Sequence, residues 1–328
     1  MSRLYKQFSQ AYPPKPSFTE ANLPSLRGKV YVVTGSNTGV GKQLAQILYS
    51  KDAKVYVVAR SETKAEAAID EIKKAEPNSQ GELVFLQLDL SDLSTIKASA
   101  EKFLQQETKL HVLFNNAGVM KPEAGAKSAQ GYELQLGVNN VGTFMFTKLL
   151  TPILASTAKT EPAGEVRVVW VSSSAAESPM TPIGGVPMDN LDYHKDTYWF
   201  PKYAISKAGN YLHGSEYAQR HKADGVVSVT LNPGNLDSDL WRTQPFLLSQ
   251  FLRWFVLHPS INGAYTELFA GLSPEVTMEK TGSWVVPWGR FMEPRQDLQD
   301  ATKSKAEGGS AIAKEFWEWS EEQVKPFI

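Results

Sequence analysis

Tyr203 and Lys207 stand four residues apart in Tyr203-Ala204-Ile205-Ser206-Lys207. That spacing places both on one helix face, with only small or apolar residues between them. A phenol ordinarily titrates near pH ~10, and a cation one turn away favours the phenolate and lowers that value. The pair would then exchange protons near neutral pH, where general acid–base catalysis is most effective. The same spacing also arises by chance, and it recurs just upstream in Tyr198-Trp199-Phe200-Pro201-Lys202. Pro201 has no N–H and would break a helix running through that second pair. It is read instead near the start of the helix that carries Tyr203 and Lys207. Whether Tyr203 does chemistry depends on what the rest of the chain places beside it.

The positioning elements can be read in chain order. Lys29-Val30-Tyr31-Val32-Val33 is a short apolar run of the kind that forms a buried parallel strand. It leads into Thr34-Gly35-Ser36-Asn37-Thr38-Gly39-Val40-Gly41, and apolar residues at helical spacing follow from Lys42 to Leu48. A strand, a glycine turn and a helix make a pyrophosphate site, because glycines admit close backbone approach and the helix start offers free N–H groups. The spacing is G-x-x-x-G-x-G, not the commoner G-x-G-x-x-G. A second strand, Lys54–Ala59, ends at Arg60-Ser61. An acid there suits ribose hydroxyls and an arginine suits a 2′-phosphate, so Arg60 points to NADP(H) over NAD(H). Glu62 falls slightly late, in the first turn of the next helix.

Further strands are expected at 83–88, ending at Asp89-Leu90; at 110–114, ending at Asn115-Asn116-Ala117-Gly118; at 166–171, ending at Ser172-Ser173-Ser174; and at 226–231, ending at Asn232-Pro233-Gly234. Residues 92–106 and 132–154 read as helices, the second carrying the amides Asn139 and Asn140. Buried amides in mid-helix are poor for propensity and need partners. A Pro- and Gly-rich loop of about 28 residues separates Ser174 from the Tyr203 helix, long enough to suggest a functional loop. Strands alternating with helices imply an α/β fold, a Rossmann-type doubly wound parallel sheet with helices on both faces. Ligands then bind at the carboxyl ends of the strands, where each of these motifs falls. A last strand is expected over 282–288, followed by a helix with Ile312, Phe316 and Trp319 on one stripe.

Composition narrows the function classes. The 328 residues hold 34 basic and 35 acidic side chains, so no excess charge argues for nucleic acid or an anionic membrane. No cysteine is present, which excludes disulfides, Cys-ligated zinc and thiol nucleophiles. His111, His194, His213, His221 and His258 lack metal-ligand spacing, so no metal site is expected. No signal-type apolar run opens the chain, and no window reaches ~18 uninterrupted apolar residues, so no spanning helix is expected. The organisation expected is an N-terminal arm over 1–27, extended where its prolines cluster, and one domain over 28–328. Residues 236–258, dense in Leu, Phe and Trp, are read as an α-helical lid over an apolar pocket. Met180, Tyr198, Trp199 and Phe200 are assigned to the opposite wall.

Taken together, these motifs resemble the short-chain dehydrogenases/reductases of the non-extended type, most closely their retinol dehydrogenase-like and WW-domain-oxidoreductase-like members. The resemblance covers about residues 28–290 and rests on the order and strand-end placement of the motifs. It implies that Tyr203 exchanges a proton with the substrate oxygen and that Lys207 lowers the tyrosine pKa and binds the nicotinamide ribose. Ser173 would hydrogen-bond the substrate oxygen, with Ser172 or Ser174 left as alternatives. Asn139 would order a water linking Lys207 to solvent. Residues 35–41 (Gly35, Ser36, Asn37, Thr38, Gly39, Val40 and Gly41), Arg60, Asp89, Leu90, Asn116, Ala117, Gly118, Pro233, Gly234 and Ser238 would join Tyr203 and Lys207 in holding the cofactor. The function implied is NADP(H)-dependent interconversion of a lipophilic or aromatic ketone or aldehyde and its alcohol, as a reductase. A non-redox dehydration or cyclisation, and a non-catalytic NADP(H)-binding regulator, stay open as alternatives. The expected partner is a lipophilic small molecule, with no nucleic acid; a homodimer stays open. The expected location is the cytoplasm, with peripheral membrane contact as a variant.

Overall fold

Each expected apolar run becomes a strand in the structure, a computed structural model that describes residues 3–237 and 257–328. Along the chain, α1 (Arg3–Ala11) precedes β1 (Val30–Thr34), α2 (Gly39–Ser50), β2 (Lys54–Ala59) and α3 (Glu62–Ala75). Next come β3 (Glu82–Gln87), α4 (Leu93–Gln106), β4 (Val112–Asn115), α5 (Leu134–Leu136), a π-helical stretch at Gly137–Gly142 and α6 (Thr143–Ala158). The second half holds β5 (Arg167–Val171), α7 (Trp199–His221), β6 (Val227–Leu231), β7 (Leu236–Asp237) and β8 (His258–Pro259). It closes with α8 (Ser260–Leu272), β9 (Trp284–Val286), β10 (Arg290–Phe291), α9 (Gln296–Ala301) and α10 (Ile312–Val324).

The main sheet runs β10-β9-β6-β5-β4-β1-β2-β3. It is parallel except at its edge, where β10 returns antiparallel on β9. β1 pairs with β2 on one side and β4 on the other, Val32 lying opposite both Tyr56 and Leu113. The chain therefore reverses its winding between β1 and β4, the place where an open α/β sheet leaves a crevice for a ligand.

Strand periodicity divides the core into two layers. Val30, Val32, Tyr56, Val58, Val168 and Trp170 face one side, against α4, α6, α7 and α10. Tyr31, Val33, Val55, Val57, Val169 and Val171 face the other, against α2, α3 and α8. Successive strand side chains point to opposite faces, so a parallel strand covered on both sides is apolar throughout. That explains the unbroken runs seen in the sequence. The region Leu134–Ala158 is long and apolar enough to cross a bilayer by length and composition. Its apolar residues pack inside the fold instead: Phe144, Met145, Phe146 and Leu150 are each at most 1% exposed.

The N-terminal arm opens with a helix, Arg3–Ala11, ahead of its proline cluster. Two expectations, on the last strand and on the helix from 132, need correction. The last strand is shorter than expected, and the following residues turn back as β10. The helix expected from 132 starts at Leu134 and contains the π-helical stretch. The lid expected over 236–258 lies mostly in 238–256, outside the described residues; at its flanks Leu236 pairs with His258 in a short parallel ladder.

Candidate active site

Tyr203 and Lys207 sit at the front of α7, where every residue from Tyr203 to Ala218 is buried. Tyr198 caps this helix and Pro201 lies in its first turn, where a missing N–H costs nothing. The upstream pair is thereby split: Tyr198 is 56% exposed, and Lys202 forms an ion pair with Asp196 at 2.6 Å. Lys207 Nζ donates to the carbonyl oxygen of Val171, the last residue of β5, at 2.9 Å. It lies 5.7 Å from the centroid of the Tyr203 ring. α7 is thus fixed to the end of β5 by the same side chain that approaches the tyrosine.

The three serines after β5 separate by role. Ser172 Oγ donates to the main-chain oxygen of Lys207 at 2.6 Å and holds the helix in place. Ser173 Oγ accepts from the Ala175 N–H at 3.2 Å and also acts on the Tyr203 phenol as a hydrogen-bond partner. Ser174 opens the short 3₁₀ turn that follows. Ser173 is the hydroxyl that meets the phenol.

Asn139 and Asn140 lie in the π-helical stretch, where one extra residue per turn turns side chains out of the ordinary helical register. Asn139 Oδ1 accepts from the Val119 N–H at 2.8 Å, and its Nδ2 donates to Val119 O at 3.0 Å and to Ser206 Oγ at 2.9 Å. Asn140 Nδ2 donates to Ser206 O at 2.8 Å and to Asn210 Oδ1 at 2.9 Å. Asn210 in turn donates to Val171 O at 3.0 Å. The two asparagines therefore brace α7 against the loop after β4. A Cβ added to Gly118 would lie 3.1 Å from Asn139 Oδ1 and 3.2 Å from Lys207 Nζ, so these atoms border one space.

Burial sets the acidity of the pair. It pushes the Tyr203 phenol up to about 12, against the opposing effect of Ser173. The same desolvation brings the Lys207 ammonium down to about 8. The sequence expectation that Lys207 lowers the tyrosine value is not met, because loss of water disfavours the charged form of both groups. Lys207 is directed to Val171 O, not to the phenol oxygen.

Two cavities meet beside this cluster. One, of about 360 Å³, is bordered by Ser173, Tyr203, Lys207, Met120, Phe200 and Leu236 among others. The second, of about 370 Å³, runs along Gly35, Gly39, Gly41, Arg60, Lys64 and Asp89. They share Val40, Asn116, Gly118 and Val119, so one groove runs from Arg60 to Tyr203. Asn37, Thr38, Leu90 and Ala117 line the second cavity, and Pro233 and Gly234 the first. Ser238 lies outside the described residues.

The groove accepts a dinucleotide on its own geometry. Gly35 has φ +67°, a left-handed value that suits glycine. A Cβ on Gly41 would lie 2.4 Å from Asn116 Nδ2 and 2.9 Å from Gly35 O, so the first turn of α2 can close on the turn only as glycine. The start of α2, where the first N–H groups of a helix have no partner within it, lines the groove, as an anion requires. Asn116 Nδ2 donates to Thr34 O at 2.7 Å, and Thr34 Oγ1 accepts from the Ala117 N–H at 2.9 Å. These bonds tie the ends of β1 and β4 across the winding reversal.

Several assignments change. Ser36 is fully buried, donating to Val33 O at 2.7 Å and accepting from the Val58 N–H at 3.1 Å, so it joins β1 to β2 and does not line the groove. Of the four residues assigned to the far wall, only Phe200 lines the inner cavity. Met180 is 51% exposed, and Trp199 packs edge-on against Phe200. The sequence reading missed Met120, which packs with Ala175 and Tyr203. It also missed Lys64, one turn after Arg60 in the groove, and Glu267, which borders the inner cavity from α8. The first two carry no signal beyond a helix-surface lysine and a loop methionine.

A doubly wound parallel sheet with this groove and a Tyr–Lys–Ser–Asn cluster defines an oxidoreductase that uses a nicotinamide dinucleotide. A family model described as short chain dehydrogenase matches residues 29–184. A short-chain dehydrogenase/reductase of Phomopsis amygdali is 56% identical over 99% of this chain and 98% of its own. A second, from Neocamarosporium betae, is 48% identical over 98% of this chain and 93% of its own. Among solved structures, a 3-ketoacyl-(acyl-carrier-protein) reductase from Brucella melitensis complexed with NADH superposes with a TM-score of 0.61 at 23% identity, covering 81% of this chain and 99% of that one. The chain belongs to the short-chain dehydrogenase/reductase family.

Proposed function

We propose that this protein is an NADP(H)-dependent reductase of lipophilic or aromatic ketones or aldehydes. The observation that carries the reading is that Tyr203 and Ser173 face a cavity walled by Met120, Phe200, Ala175 and Leu236 and continuous with the dinucleotide groove. An apolar wall with a few convergent polar groups selects an apolar substrate and orients its one polar atom.

Arg60 and Lys64 support the phosphorylated coenzyme. They stand at the start of α3, where Ser61 Oγ accepts from the Lys64 N–H at 3.4 Å, and both border the groove. Two cations at a helix N-terminus suit a 2′-phosphate. Glu62, the first residue of α3, does not line the groove.

When bound, the coenzyme supplies the hydride. Ser173 and Tyr203 then hold the substrate oxygen, and the Tyr203 O–H gives its proton to that oxygen as negative charge develops on it. Lys207, held in place by Val171 O, has N–H groups left to offer the coenzyme ribose. Asn139 keeps Val119 and α7 in register, and so keeps Lys207 in place.

The test is incubation of the purified protein with NADPH and a panel of steroid, retinoid, polyketide-like and small polar carbonyls, following loss of reduced-nicotinamide absorbance. Turnover confined to lipophilic carbonyls is expected, and Tyr203→Phe should lower it by at least ~100-fold while leaving NADPH binding intact. Preference for small polar carbonyls, or a fully active Tyr203→Phe, would overturn the reading.

A further inference from the structure

Glu267 is a buried acid for which the four-residue chemistry has no use. Its neighbours on α8 (Ala264, Leu268, Phe269 and Ala270) are at most 1% exposed and apolar. Glu267 itself is 0% exposed, and neither carboxyl oxygen meets a hydrogen-bond partner among the described residues. An unpartnered carboxyl in an apolar helix face is costly, and each such group calls for an explanation. The side chain borders the inner cavity together with Tyr203, Lys207 and Gly234.

Among the described residues, charged and titratable groups on the elements packed against α8 point elsewhere, with one exception. Lys42 of α2 is tied to Glu71, and Tyr49 lies further along that helix. Arg167 of β5 donates to Ala270 O at 3.1 Å and Ser273 O at 2.9 Å. His258 of β8 bonds Ala11 O at 2.9 Å, and Asp237 of β7 is exposed. Tyr265 on α8 itself interacts with Glu20. Among the described residues, the one charge that acts on the Glu267 carboxyl is Lys207, and the carboxyl is the one that acts on Lys207.

We propose that Glu267 is a positioning residue of the active site: its carboxyl faces Lys207 across the cavity and serves as the counter-group that keeps the ammonium charged in alkaline solution. This rests on the assignment of Lys207 to the dinucleotide site. The proton step is simple. As pH rises, the carboxyl O–H bond breaks, its proton goes to water and the electron pair stays on oxygen; the carboxylate then holds the Lys207 N–H proton. Burial pushes the carboxyl up to about 8, beside an ammonium brought down to about 8, so the exchange falls in the working range.

Binding of NADPH, read by fluorescence across pH, tests this without turnover, because an anionic dinucleotide reports the Lys207 charge. In Glu267→Gln the neutral amide mimics the protonated acid. Affinity should therefore match the wild type within about twofold at low pH, while the alkaline loss of affinity moves down by about one pH unit. A purely structural role would lower affinity or stability equally at every pH, and an unmoved alkaline limb overturns the proposal. In the wild type, ¹³C-lysine NMR should show Lys207 titrating in two linked steps below the ordinary lysine range. A single step at the ordinary value overturns the proposal whether or not the variant folds. If no carbonyl is reduced but the alkaline limb still moves, the substrate reading fails and the role of Glu267 stands.

Discussion

Lys207 Nζ and the Val171 carbonyl oxygen are joined at 2.9 Å, so the site lysine is anchored by a strand end and not by the tyrosine it serves. Val171 O also accepts from Asn210 at 3.0 Å. Losing the lysine therefore leaves no orphaned carbonyl at the end of β5. Lys207→Met should fold with a melting temperature close to wild type, yet lose at least ~100-fold in kcat and raise the KM for the coenzyme. Unchanged kinetics would remove Lys207 from the mechanism.

The proposed preference for NADPH rests on Arg60 and Lys64, which line the groove. Arg60→Ala should weaken NADPH by roughly tenfold to a hundredfold, since a hydrogen bond to a charged group contributes ~1.5–3 kcal/mol. NADH affinity should barely change. Calorimetric titration of both coenzymes checks this, and equal losses would count against a phosphate contact. Lys64→Ala should show the same preference more weakly.

Gly118 leaves the space between Asn139 and Lys207 open. In Gly118→Ala the new methyl would sit 3.1 Å from Asn139 Oδ1 and 3.2 Å from Lys207 Nζ. Both contacts are tight enough to displace the lysine. A fall in kcat with little change in thermal stability is expected; full activity would show that Lys207 tolerates the displacement.

The buried pair also predicts how stability follows pH. Glu267 titrates near 4.5 when free and at about 8 in the fold. Between those values the unfolded carboxyl has lost a proton that the folded one keeps, so its contribution to stability falls as pH rises. Lys207 titrates near 10.5 when free and at about 8 in the fold. From 8 to 10.5 the unfolded lysine alone still holds its proton, so stability rises with pH. The pair's contribution is therefore lowest near pH 8. The melting temperature of Glu267→Gln should gain on wild type between pH 5 and pH 8 as the acid's penalty grows in the latter; a difference that stays flat across that range would contradict it.

Strands and their terminal motifs were legible because a parallel strand covered on both faces is apolar without interruption and ends abruptly at glycine or asparagine. Hence β2 matches its expected range and the others shift by one or two residues. What the pattern could not carry is direction and environment. Ser36 stands inside the glycine motif, yet its hydroxyl turns inward to join β1 and β2. The helical spacing of Tyr203 and Lys207 suggested a lowered phenol, whereas desolvation, which depends on the whole fold, raises it. Glu267 reads in sequence as one polar residue in an apolar helix, and only its burial against Lys207 marks it. α1 was hidden because its docking rests on Lys6, Gln10 and main-chain atoms and has no long apolar stripe of its own.

That docking has a practical consequence. Gln10 accepts from Asn232 Nδ2 at 2.9 Å, and Ala11 O bonds His258 Nε2 at 2.9 Å. The residues that flank 236–258 on either side thus rest on one short helix at the opposite end of the chain. A chimera that imports residues 236–258 from a relative to alter substrate range should import that relative's first eleven residues as well. The flanks of that segment and the first helix are two pieces encoded far apart and exchangeable only as a set.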